Sequence, residues 1–169
     1  VSTLDNPGQL TGHAMAYHPE RGTILLFGGT VPDSFFGQPT DAFWEYDGSS
    51  WTEINQPTNP TPRSGHAMAY DWARNRLLLF GGSAGLFLPP LDDTWEWDGT
   101  SWVQATPTVS PSPRTSSYLA FDATRNKVVL FGGFGTFGGV DTWDWDGTNW
   151  TLLASPASPS REDHSLTYD

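Results

Sequence analysis

A chain of 169 residues with nineteen acidic and eight basic side chains carries a net charge of −11, which argues against nucleic acid and against an anionic membrane surface, because phosphate binding needs clustered Lys and Arg. The absence of cysteine excludes disulfides, thiolate metal ligands and cysteine nucleophiles together. No apolar run approaches the roughly 20 residues of a membrane-spanning helix, no leader peptide opens the chain, and a composition rich in Trp and Pro but poor in Lys suits a secreted or cell-surface protein.

The first unit runs from about residue 10 to residue 56 and reads as four strands, A to D in chain order. Gly12-His13-Ala14-Met15-Ala16-Tyr17 supplies strand A, Arg21-Gly22 the turn after it, and Ile24 to Phe27 strand B. Gly28-Gly29 follows, then a loop from Thr30 to Thr40 that holds Phe35 and Phe36. Trp44-Glu45-Tyr46-Asp47-Gly48 ends strand C, and Trp51 opens strand D. Asp-Gly between two such runs predicts a two-residue hairpin loop with positive φ angles.

The second unit, residues 63 to 106, repeats these landmarks about 50 residues on, a period that marks a repeat architecture. Arg63 precedes Gly65 to Tyr70, with strand A predicted over His66 to Tyr70. Arg74-Asn75 makes the turn, and Leu77 to Phe80 makes strand B. An apolar run without alternation predicts a strand covered on both faces. Gly81-Gly82, a loop from Ser83 to Leu91 with Leu86, Phe87 and Leu88, Trp95 to Gly99, and Trp102 complete the unit.

The third unit, residues 114 to 154, opens on Arg114 and carries Ser117 where the others have His13 and His66. Arg125-Asn126, Val128 to Phe131 and Gly132-Gly133 follow. The next loop spans Phe134 to Gly139 and includes Phe137; Trp143 to Gly147 and Trp150 close the unit. A further unit begins at 161, where Arg161 and His164 to Tyr168 match Arg63 and His66 to Tyr70. No segment has a helical period, so the predicted fold is all-β.

Gly-Gly after an apolar strand, an aromatic on strand C and a Trp at the start of strand D resemble the kelch repeat over nearly the whole chain. The resemblance implies β-propeller blades, with strand A lining a central channel and strand D on the rim. The Tyr usual on strand C is present once, as Tyr46, and is Trp97 and Trp145 in the later units. Propellers close with four to eight blades, and an arc of three leaves two apolar faces open. At about 25 cal/mol per Å², several hundred Å² uncovered forfeits roughly 10 kcal/mol, the scale of a whole domain's stability. Either further blades of a longer chain or a second copy of this chain is expected to cover those faces.

In an up-and-down blade the A–B and C–D turns lie on one face and the B–C and D–A loops on the other. The first face is short, regular and acidic, with Asp47, Asp71, Asp98, Asp122 and Asp146. The second varies, and variable loops on a constant scaffold are where binding usually sits. Its candidate ligand-binding residues are Phe35, Phe36, Phe87, Phe134 and Phe137, with Arg63, Arg114 and Arg161. The aromatics either form an exposed patch or fold over the blade ends. The resemblance implies that the arginines can hold carboxylates of a partner; the alternative is a salt bridge locking one blade to the next.

The chemistry of catalysis is missing from the sequence. His13, His66 and His164 share one register, but neighbouring blades hold that register too far apart for a shared metal, so a buried His bonded to the backbone is expected. The acidic turns lack the dense ligand loop of a calcium site. Asp-Gly-Thr-Ser-Trp at 98–102 is similar to the Asp box of sialidases with its Trp one place early. The copper site of galactose oxidase, a kelch-type enzyme, needs a Cys-crosslinked Tyr. No nucleophile elbow, phosphate loop or zinc motif is present, and no cofactor is expected. Asn149-Trp150-Thr151 fits the glycosylation pattern. The expected function is a non-catalytic module that binds a protein or glycan through the B–C/D–A face. The alternatives are a self-assembling structural unit and a non-catalytic segment of a larger propeller enzyme.

Overall fold

The computed structural model describes residues 6–32, 37–135 and 141–154; Arg161 to Asp169, the predicted start of a further unit, lies outside them. In the first blade β1 (Ala14–His18), β2 (Thr23–Phe27), β5 (Phe43–Tyr46) and β6 (Trp51–Glu53) form one sheet in that order. A small hairpin, β3 (Thr30–Val31) with β4 (Gln38–Pro39), stands on its B–C connection. The second blade is β7 (Ala67–Asp71), β8 (Arg76–Phe80), β9 (Thr94–Trp97) and β10 (Trp102–Ala105). In the third, β11 (Arg114–Thr115) and β14 (Phe134–Gly135) pair beside the sheet of β12 (Tyr118–Asp122), β13 (Lys127–Phe131), β15 (Thr142–Trp145) and β16 (Trp150–Ala154). Every pairing is antiparallel, and equivalent residues keep equivalent partners: Leu26 opposes Trp44, Leu79 opposes Trp95 and Leu130 opposes Trp143. The described residues are all-β, as expected, with strand A shifted one residue to Ala67–Asp71.

The A–B turns carry left-handed residues where predicted: Gly22 (φ 66°), Asn75 (φ 53°) and Asn126 (φ 52°). Asn tolerates this region because its short polar side chain bonds locally. The C–D turns correct the prediction. The Asp47 N–H donates to the Ser50 carbonyl at 3.2 Å, so the two-residue tip is Gly48-Ser49, and of Asp47 and Gly48 only the glycine has positive φ. Asp47 flanks the tip and caps it, its Oδ1 accepting from the N–H groups of Ser49 and Ser50 at 2.8 Å. Asp98 does the same for Thr100 and Ser101. Hydrogen bonds from Ser50 and Ser49 hold the Asp47 carboxyl down at about 2, and those from Thr100 and Ser101 do so for Asp98.

The core is two layers, each between blades. Leu25, Phe27 and Phe43 of the first blade meet Met68, Tyr70, Leu77, Leu79, Trp97 and Trp102 of the second. The other face of the second blade, Ala67, Ala69, Leu78 and Phe80, meets Leu119, Val128, Leu130, Trp143, Trp145 and Trp150 of the third. Strand alternation therefore sends neighbouring residues into different layers, and Leu77 to Phe80 are fully buried without any polar position. Each such side chain contributes about 1.5–3 kcal/mol of burial. Val129 of the third blade, which corresponds to Leu78, is only half-buried.

Candidate interaction face

The loop face is built on the double glycines. The Gly29 N–H donates to the Arg63 carbonyl at 2.8 Å, and the Gly82 N–H to the Arg114 carbonyl at 2.9 Å. Each bond ties one blade to the backbone that opens the next. A Cβ on Gly81 would stand 2.7 Å from the Arg114 carbonyl oxygen, and one on Gly82 would stand 2.8 Å from the His66 Cβ. Only glycine admits both approaches at φ 66° and 95°.

The side chain of Arg63 turns inward and is fully buried. Its five N–H donors are all used: Nε on the Thr61 carbonyl, Nη1 on the Gly81 carbonyl and Asp93 Oδ1, and Nη2 on Thr61 Oγ1 and Asp93 Oδ2. Arg114 repeats this on Ser112, Gly132 and Asp141. The carboxylates also accept indole N–H groups, Asp93 from Trp95 and Asp141 from Trp143, each at 2.7 Å. Burial alone would raise the Asp93 and Asp141 carboxyls, but the guanidinium and indole donors pull both below the ordinary value.

These contacts correct the expectation for Arg63 and Arg114. Neither guanidinium has a donor left for a ligand, and neither salt bridge crosses between blades. Each joins a D–A linker to the residue just before strand C of its own blade, while the backbone carbonyl makes the crossing. The first blade has Leu10 and Ala42 at the two positions, so the pair is lost together there.

The apolar loops are exposed. Leu86 is 68% accessible, Phe87 84%, Leu88 57% and Phe134 65%. Ser83 Oγ donates to the Gly85 carbonyl at 2.7 Å, and the Leu88 N–H donates to the same oxygen at 3.1 Å, so a tight turn presents residues 86–88. Below them lies a concavity of about 640 Å³, walled by Leu86, Phe87 and Phe134 and floored by Gly12, Gly65 and Ser116. Phe35, Phe36, Phe137 and Arg161 lie outside the described residues, so the structure brings together only Phe87 and Phe134 of the predicted site.

The model of the KLHDC2/KLHL20/DRC7 kelch-repeats domain matches residues 2–168. The chain belongs to the kelch-repeat family. The dynein regulatory complex subunit 7 of Chlamydomonas reinhardtii is 36% identical over 142 residues, covering 78% of this chain and 11% of that protein. The Mei4-dependent protein 6 of Schizosaccharomyces pombe is 33% identical over 96 residues, covering 52% of this chain and 13% of that protein. The kelch segment thus spans about a tenth of the length of these relatives.

Within the kelch blades, the strand-A histidines sit under the loop face. His13, His66 and Ser117 border a smaller concavity of about 290 Å³. His66 is buried with its ring edge-on to Phe27 at 5.6 Å, and neither ring nitrogen reaches a hydrogen-bond partner. At His66 the expected backbone bond is not formed at full hydrogen-bond geometry, and the Phe27 backbone gives only a weak contact. Burial, reinforced by the Arg63 charge, lowers its pKa to about 3, against a weak opposing pull from the Phe27 backbone. The imidazole is therefore neutral. Among the described residues no three His, Asp or Glu side chains group as metal ligands. The side-chain Oδ1 of Asn149 in the glycosylation pattern accepts from Thr108 N–H and Oγ1 at 2.9 Å.

Sequence reasoning missed a concavity at the opposite mouth of the channel. Trp72 is 56% accessible and stacks on Phe121 at 6.3 Å, and with Met15, Tyr17 and Tyr70 the two rings line a space of about 400 Å³. The available signal was a Trp in the A–B turn, where the other kelch units have Pro19 and Ala123.

Proposed function

We propose that this kelch segment is a non-catalytic scaffold that captures a protein partner on the B–C/D–A loop face. The observation that carries the reading is the exposure of Leu86, Phe87, Leu88 and Phe134 around one concavity. Isolated exposed apolar side chains are ordinary, but a contiguous group on a rigid floor is the mark of an interface. Membership of the kelch family and likeness to a subunit of a named complex support a protein partner over a glycan. Export, to the medium or the cell surface, belongs to the same proposal on composition alone, and it is tested by probing the culture medium and by protease treatment of intact source cells: release or degradation is expected, and absence from the medium with full protection would count against export.

A photo-crosslinking residue at position 87 tests the face, with one at position 103 as control, since Val103 is exposed on β10 at the rim. A recurrent protein adduct from position 87 and none from position 103 is the expected result. Equal adducts from both positions would refute the assignment of the face.

A further inference from the structure

We infer that the loop face selects a partner segment carrying bulky apolar side chains together with Lys or Arg, and rejects acidic segments. The inference rests on the loop face being the binding surface and adds the charge of what it binds.

Cations are segregated in this chain. Of eight Lys and Arg residues, Arg21, Arg74 and Arg125 sit in the A–B turns, and Arg76 and Lys127 begin the strands that follow. All five belong to the opposite face. The two described cations of the loop face, Arg63 and Arg114, are buried with every donor bonded to the protein itself. Arg161 lies outside the described residues. No described guanidinium or ammonium on this face is open to a carboxylate.

Two of its acids are in the opposite condition, whereas Asp93 and Asp141 are paired with the buried arginines. Asp92 is exposed and Asp41 half-buried, and neither carboxylate makes an ion pair among the described residues. They hold the same register in the first two blades, two places beyond Pro39 and Pro90, which line the concavity. Among the described residues the face thus combines an apolar rim with two carboxylates that no cation pairs. Complementary potential brings a basic segment in and makes a carboxylate costly, since like charges across an interface repel and no described cation of this face is open to offset them. A short extended segment suits the concavity, with one large apolar side chain against Phe87 and Phe134 and a basic neighbour toward Asp41 or Asp92.

Panning random linear peptides displayed on phage against the full chain, at 50 and 300 mM salt, tests this. The expected binders carry an aromatic or aliphatic anchor beside Lys or Arg and weaken as salt rises. Their affinity is lost in the L86S/F87S/F134S variant and falls roughly threefold to tenfold in D41N/D92N, the size expected for removing rim charges. Binders lost in the serine variant but neutral or acidic, and indifferent to D41N/D92N, overturn the charge inference while keeping the face. Binders unaffected by the serine variant, or none at all, overturn the face and the inference with it. Circular dichroism of each variant shows that the blades remain folded.

Discussion

One buried imidazole and two exposed turn carboxylates shape how this chain responds to acid. With a folded-state pKa of about 3 against 6.5 for an unperturbed imidazole, His66 stays neutral in the fold while the unfolded chain takes up a proton between those values. Stability therefore falls as pH falls through that window. The depressed carboxyls act lower: Asp47 and Asp98 stabilise above the ordinary carboxylate pKa near 3.8 and lose that contribution as pH drops toward about 2. The interval from pH 6.5 to 5 thus belongs to imidazole more than to these acids. His66→Ser installs what the third blade carries at Ser117, another buried side chain without a partner. The urea midpoint of this variant should vary less between pH 6.5 and 5 than that of the native chain. An equal slope in both would place the acid sensitivity elsewhere.

At the level of the blade, the Arg–Asp pair is the feature least visible in the sequence. The apolar strand B and the A–B turn residues are local signals, each legible because its physical cause lies within a few residues, and the period shows through their repetition. Arg63 and Asp93 are 30 residues apart, and an Arg after a Pro-rich linker looks like a surface cation. The readable clue was joint variation: Arg63 with Asp93, Arg114 with Asp141, and Leu10 with Ala42. The Asp-Gly turn was misread for a related reason, since Asp47 acts through its side chain and not through its own φ. Removing Arg63 alone strands the half-buried Asp93 carboxylate, which costs up to about 3–5 kcal/mol. R63L/D93A copies the first blade and removes both charges, so it should recover part of that loss, with the orphaned Trp95 indole keeping recovery incomplete. Urea denaturation of the two variants measures this. A double variant no more stable than R63L would show that the stranded charge is not the source of the cost.

Across the whole arc the two interfaces are unequal. Between the second and third blades the indoles are satisfied: Trp145 donates to Glu96 at 2.8 Å and Trp150 to Thr94 at 2.9 Å. Between the first and second, Trp97 and Trp102 occupy the same positions with no acceptor for either Nε1. Phe43 stands where Thr94 would be, and Glu45 is engaged by Thr23 and Arg21. A buried donor left unpaired costs about 1–3 kcal/mol, offset in part by the edge-on packing of Phe43 against Trp97, its tilted packing against Trp102 and Arg21 over the Trp97 ring. The first blade also lacks the Arg–Asp pair. Local opening follows such differences in packing and satisfaction, so amide exchange should rank β8 slowest, β13 next and β2 fastest. Strand β8 packs against a neighbouring blade on both faces, whereas among the described residues β2 and β13 each pack against one, and those two interfaces differ in the bonds across them. Hydrogen–deuterium exchange with mass spectrometry resolves these strands. Protection of β2 equal to that of β13 would mean that aromatic packing alone fixes the first blade and that the missing indole acceptors carry no weight.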